Sequence, residues 1–131
     1  MKCRMQNSEC KIMKTDNLKQ RTKEYALQVI RLVRALPSKP EGWVIGKQLL
    51  RSGTSVGANY RAACRARSRA EFVAKLGIVI EEADESAFWL DLIIESGLLK
   101  EDLVEPILKE TDEILAIMIS SSNTASKGTN Q

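Results

Sequence analysis

Between Pro40 and Pro106 the chain contains no proline, and that interval constrains the fold more than any other feature. Proline is the residue that most reliably ends a helix, because it lacks the N–H and its ring clashes with the preceding turn. Apolar residues in the interval recur every three or four positions rather than every two, so the segments read as helices. Ser68 followed by Glu71 has the form of a capping box, which starts a helix at Arg69. That helix continues through Phe72, Leu76, Val79, Ala83, Ser86, Leu90 and Ile94 and stops at Gly97, a residue suited to the left-handed C′ position. The KPEG turn leads into Trp43 and an earlier helix that fills the segment up to the Arg67–Ser68 junction.

The same reading extends outward. After a capping candidate at Asp16, the residues Leu18, Thr22, Tyr25, Val29, Leu32, Val33 and Leu36 define a first helix, closed by Pro37 and Pro40. Val104, Leu108, Thr111, Leu115 and Ile119 define a last one, with Pro106 acceptable only in its first turn. The expectation is an all-α, up-down antiparallel four-helix bundle over residues 16–120. A flexible N-terminal tail covers 1–15, and a disordered C-terminal tail, SSNTASKGTNQ, covers 121–131.

The second helix contains residues that helices disfavour. At 100° per residue, Gly46, Leu50, Gly53, Gly57, Tyr60 and Cys64 fall within about 40° of one line. Each glycine costs about 1 kcal/mol relative to alanine in a helix interior, so the stripe predicts a neighbouring backbone that needs the room. Arg51, Ser55, Asn59 and Ala62 form a second face of small and polar groups. Apolar residues also lie off the core lines: Leu27 and Ile30 on the first helix, Ile78, Phe88, Trp89 and Leu92 on the third, and Ile107, Ile114 and Ile117 on the fourth. That surplus predicts a homo-oligomer.

The chain has no histidine among its 131 residues. This removes the Glu-x-x-His motifs of di-iron bundles, Ser/His/Asp triads and Cys/His pairs, leaving carboxylate–metal chemistry as the familiar enzymatic route. Glu81, Glu82 and Glu85 spell EExxE, similar to the magnesium site of all-helical nucleotide pyrophosphohydrolases, but the following helix offers only Glu110 and Glu113 in place of an ExxD. The bland reading of these glutamates is partnership with the arginines of helix two. Neither catalytic, metal-ligating nor cofactor-binding residues are expected. Three cysteines without a CxxC pair encode no disulfide framework, and Cys64 on the glycine stripe reads as a small packing residue. Trp43 and Trp89 read as packing aromatics rather than stacking platforms. A cytoplasmic protein without membrane contact is the expectation, since no apolar run reaches the roughly 18 residues of a span.

Charge is unevenly distributed. Residues 1–80 carry a net +12 and residues 81–131 a net −9. Either the two halves complement one another, within or between chains, or the basic half presents a polyanion-binding face. The candidates for that face are Arg51, Arg61, Arg65, Arg67 and Arg69, with Lys19, Lys23, Arg31 and Arg34 from helix one.

The run LLRSGTSVGANYRAACRARSRAEFVAKL, within a likeness spanning roughly Leu18 to Ser120, resembles the proteins found in intervening sequences of 23S ribosomal RNA genes, a family related to the accessory protein of diversity-generating retroelements. The matching positions are Arg51, Ser52, Ser55, Asn59, Arg67, Ser68, Glu71, Phe72, Leu76 and Glu85. Tyr60, Arg61, Ala62 and Ala63 depart from the family pattern, as do Glu81 and Glu82, which together suggest a compensating Arg/Glu set. The resemblance implies a four-helix bundle assembled into a homopentameric ring without catalytic activity, and in the retroelement relatives a positive surface associated with nucleic acid and a protein partner. Two functions follow: an oligomeric bundle that binds structured RNA or DNA, or a protein-interaction scaffold whose arginines are satisfied by Glu81, Glu82, Asp84 and Glu85. A magnesium-dependent nucleotide pyrophosphohydrolase is the distant third.

Overall fold

The computed structural model describes residues 7–129, with side chains described from 17 to 127. Four helices account for nearly all of it: α1 (Asn7–Ala35), α2 (Pro40–Cys64), α3 (Arg69–Ser96) and α4 (Glu101–Thr129). Each packs against its neighbours in the chain, and α4 returns to α1 along the sparsest of the four seams.

The boundaries of α3 are set locally. Ser68 is extended and its hydroxyl accepts from the Glu71 N–H at 3.1 Å, while the Glu71 carboxylate accepts from the Arg67 N–H rather than from that of Ser68. At the other end Gly97 has φ 77°; its N–H reaches the Ile94 carbonyl and that of Leu98 reaches Ile93, a Schellman closure. The start of α2 differs slightly from expectation: Pro40 opens the helix, as its fixed φ allows, instead of ending the preceding turn. A side chain at Gly42 would run into the Pro37 carbonyl oxygen, so glycine is what lets the turn fold back onto the helix.

The outer helices run further than expected. Nothing between Asn7 and Ala35 is proline or glycine, so α1 passes through Asp16 without stopping and residues 7–15 are helical; residues 1–6 lie outside the described residues. Similarly α4 continues through the expected tail to Thr129, with Ser120, Ser121, Thr124 and Ala125 facing Tyr60, Ala63, Cys64 and Phe72 across a cleft of about 780 Å³. Pro106 stands in the second turn of α4, not the first. Its missing N–H frees the Asp102 carbonyl, which sits on an exposed stretch where water can satisfy it.

The core is built from Tyr25, Val29 and Leu32 of α1, Leu49, Val56 and Tyr60 of α2, Leu76, Val79, Leu90 and Ile93 of α3, and Val104, Ile107, Ile114 and Met118 of α4. The α4 set corrects the expected line: Ile107 and Ile114 point inward, Leu108 and Leu115 are half-buried, and Ile119 is exposed. Two lines one residue apart are both apolar there, so periodicity alone does not choose between them. Trp43 is also corrected, being 62% exposed. Phe88, Leu27 and Ile78 stay open to solvent as the off-line reading expects.

The glycine stripe meets α1. A Cβ on Gly53 would come within 2.9 Å of both Val29 methyls, and one on Gly57 within 3.2 Å of the Thr22 carbonyl oxygen. Leu50, on the same line, escapes to the surface. The other buried face of α2, Leu49, Ser52 and Val56, turns to α3, where Ser86 donates to the Glu82 carbonyl and so accepts from the Ser52 hydroxyl at 2.8 Å. Gly53→Ala is expected to lower stability by about 1 to 2 kcal/mol in a denaturant titration, because the clash outweighs alanine's better propensity. Gly77→Ala, where an added Cβ meets nothing within 4 Å, is expected to raise it by up to about 1 kcal/mol.

Candidate functional site

The nine basic candidates separate into groups according to the helix they face. Arg51 and Arg61 lie about 80° apart around α2, and that angle directs them to different partners.

Arg51 turns toward α3. Its Nη2 donates to Glu85 Oε1 at 2.7 Å, and its Nη1 lies 3.1 Å from Glu82 Oε1 in ion-pair contact. Glu85 is held from a second side by the Trp89 indole N–H at 2.9 Å. These two donors, the indole first and the guanidinium second, depress the Glu85 carboxyl below its ordinary value of 4.5. Glu85 hydrogen bonding likewise raises the Arg51 pKa. Two of the three EExxE carboxylates are therefore engaged by arginine. Ser55 and Asn59, from the same motif, bond back to the Arg51 and Ser55 carbonyls one turn earlier, closing the helix surface on itself.

Arg61 and Arg65 turn the other way, toward α1. With Lys19 and Lys23 they line an open cleft of about 560 Å³, whose remaining walls are Gln20, Ala26, Thr54, Gly57 and Ala58. The close approach at Gly57 and Thr22 creates this arrangement, since it sets the lysine turn of α1 beside the arginine turn of α2. Among the described residues no acidic side chain lines the cleft. Among the described residues none of the four cations makes an ion pair. The compensating Arg61/Glu81/Glu82 set suggested by the sequence is thus not formed: Glu82 takes Arg51, and Arg61 faces α1.

The remaining candidates stand apart. Arg67 and Arg69 are exposed at the α2–α3 junction, with Arg69 at the rim of the cleft that ends α4. Arg31 and Arg34 are exposed further along α1 and do not line the basic cleft.

A cation that sequence reasoning passed over secures the sparse seam. Arg21 grips Glu110 through Nε at 2.7 Å and Nη2 at 2.9 Å, and reaches Glu113 at 2.6 Å. The Glu110 hydrogen bonds hold its guanidinium firmly charged. Beneath it, Thr111 donates to the Ile107 carbonyl, so the buried Tyr25 hydroxyl donates to Thr111 at 2.6 Å, and burial pushes the phenol pKa up. The available signal was Arg21 next to core residue Thr22, opposite the acidic run of α4.

Taken together, these features define an all-helical protein whose two halves differ in charge, with carboxylates committed to interhelical ion pairs and a set of cations left open in one cleft. The chain belongs to the 23S rRNA-intervening sequence protein family, whose model matches residues 14–120. It is similar to the crystal structure of a protein of unknown function from the S23 ribosomal protein family of Bacteroides thetaiotaomicron VPI-5482, at 37% identity and a TM-score of 0.78 over 84% of this chain and 98% of that one. No curated protein matches the chain. No helix among the described residues is long and apolar enough to cross a membrane.

Because the Glu85 pKa is lower folded than unfolded, its contribution is fully present above about 4.5, the unfolded value, and is lost as pH falls through the depressed folded value. Glu85→Gln is therefore expected to be less stable than wild type near neutral pH, and the gap between their urea midpoints should close as pH drops below that range.

Proposed function

We propose that the protein is a non-enzymatic, oligomeric, up-down antiparallel four-helix bundle of the cytoplasm that binds structured RNA or DNA through the α1/α2 cleft. The observation that carries this reading is the convergence of Lys19, Lys23, Arg61 and Arg65 on one concave surface with no acidic group among the described residues of its lining. Four like charges drawn together on an open surface repel one another, and solvent only partly screens them. A polyanion converts that repulsion into attraction and releases its own counterions on binding. The exposed Phe88, Leu27, Ile78 and Trp43 support burial against further copies, and membership of the family is in keeping with a homopentameric ring. Such symmetry repeats the cleft around one assembly and raises avidity beyond a single site.

A second reading rests on Arg51, whose pairing with Glu82 and Glu85 is what an interaction scaffold with internally satisfied arginines requires. The two readings apply to different arginines, so paired variants separate them. Lys23→Glu with Arg61→Glu is expected to weaken binding to an RNA hairpin or DNA duplex by on the order of 100-fold at moderate salt, measured by fluorescence anisotropy, while the mass of the assembly stays that of wild type. Arg51→Glu removes no cleft cation and is expected to lower stability, while the protein that remains assembled binds as wild type does. Unchanged binding in the first variant together with loss of assembly in the second would favour the scaffold.

A further inference from the structure

The cleft contains polar groups besides its cations, and what those groups are already doing limits what the site can read. The Thr54 hydroxyl donates its proton to the Leu50 carbonyl at 2.7 Å. The Gln20 amide nitrogen donates to Glu24 at 2.9 Å. The other lining residues, Ala26, Gly57 and Ala58, have no side-chain polar atom, and none of the lining residues is aromatic. The strong donors left to an incoming ligand are therefore the ammonium and guanidinium groups, which are long, exposed and matched to phosphate oxygens.

Sequence readout needs donors and acceptors fixed against base edges, and recognition of single strands needs rings on which bases stack. The cleft has no ring, and Gln20 and Thr54, which carry both donor and acceptor among its described residues, are already bonded along their own helices. We infer that the α1/α2 cleft is a phosphodiester-backbone site that takes duplex nucleic acid, reads charge alone, and distinguishes neither base sequence nor, through ribose contacts, RNA from DNA. This rests on the nucleic-acid reading above and narrows it. Duplex is the form that fits, because its bases are already stacked on one another and its phosphates stand in regular rows. A single strand binding here forgoes the stacking energy of about 1–3 kcal/mol per base that aromatic platforms supply elsewhere. The small floor of Ala26, Gly57 and Ala58 is what lets a phosphate row come between the two cationic walls.

The test is an anisotropy titration of the full chain against two DNA duplexes of unrelated sequence, one RNA duplex, and the separated strands, each across a salt series. The duplex affinities are expected to agree within about threefold, with single strands weaker by about tenfold or more, since no base contact or stacking contributes. Log affinity should fall linearly with log salt, by about 0.9 for each phosphate engaged, and Lys23→Ala should reduce that slope by about one for every cleft occupied. Ala58→Leu, at an exposed helical position where a larger side chain disturbs no core, is expected to cut duplex affinity several-fold without removing a charge. A tenfold preference among sequences, or tighter binding of single strands, together with loss on Lys23→Glu, overturns the backbone-only inference and leaves the nucleic-acid reading standing. Duplex binding unchanged by Ala58→Leu also overturns it. Absence of binding to any nucleic acid at low salt by an intact, folded assembly overturns the nucleic-acid reading itself.

Discussion

The approach of α1 to α2 across Gly53 and Gly57 is the constraint from which most of the structure follows. Two helices whose facing positions carry ordinary side chains are held about 8–10 Å apart. Here the Val29 methyls and the Thr22 carbonyl occupy the space that a Cβ would take. Gly57 also belongs to the lining of the basic cleft, so one residue brings the helices together and leaves room between the cationic walls. With α1 seated on its glycine face, α2 is free to give its second buried face, Leu49, Ser52 and Val56, to α3. The helix therefore sits between two neighbours, and its arginines separate according to which neighbour they face.

The electrostatic asymmetry of the chain is resolved unevenly as a result. The acidic half supplies Glu82 and Glu85 to Arg51, and Glu110 and Glu113 to Arg21. Both clusters are partly exposed, where isolated pairs contribute little, but each carboxylate pair shares one guanidinium, which lowers the entropic cost per contact. The Arg21 clamp lies over the buried Tyr25–Thr111 hydrogen bond, so the sparsest seam is closed by polar contacts as well as by packing. Lys19, Lys23, Arg61 and Arg65 receive nothing comparable. Among the described residues, the cleft they line contains no acidic side chain, so charge balance there comes from solvent ions or a ligand.

Legibility in the sequence followed the range of the interactions involved. The limits of α3 were readable because Ser68, Glu71 and Gly97 act within four or five residues of one another. The glycine stripe was readable because its cost is local, even though its cause, Val29 and Thr22, is not. The phase of α4 was not, since Leu108, Leu115 and Ile119 make as good an apolar line as Ile107, Ile114 and Met118, and packing against α3 and Tyr25 decides between them. The extension of α4 beyond Ser120 was equally hidden, because the polar run SSSNTASKGT has no apolar period to mark a helix.

Sequence alone suffices for four helices, their capping at the α2–α3 and α3–α4 turns, the absence of histidine chemistry, the family, and the excess of basic charge in the first eighty residues. Those properties depend on composition and on contacts along the chain. Which of those cations meet a carboxylate follows from how the helices pack. Arg51 and Arg61 are equivalent as entries in a charge count, and they diverge because about 80° of helix rotation points one at the carboxylates of α3 and the other at the lysines of α1.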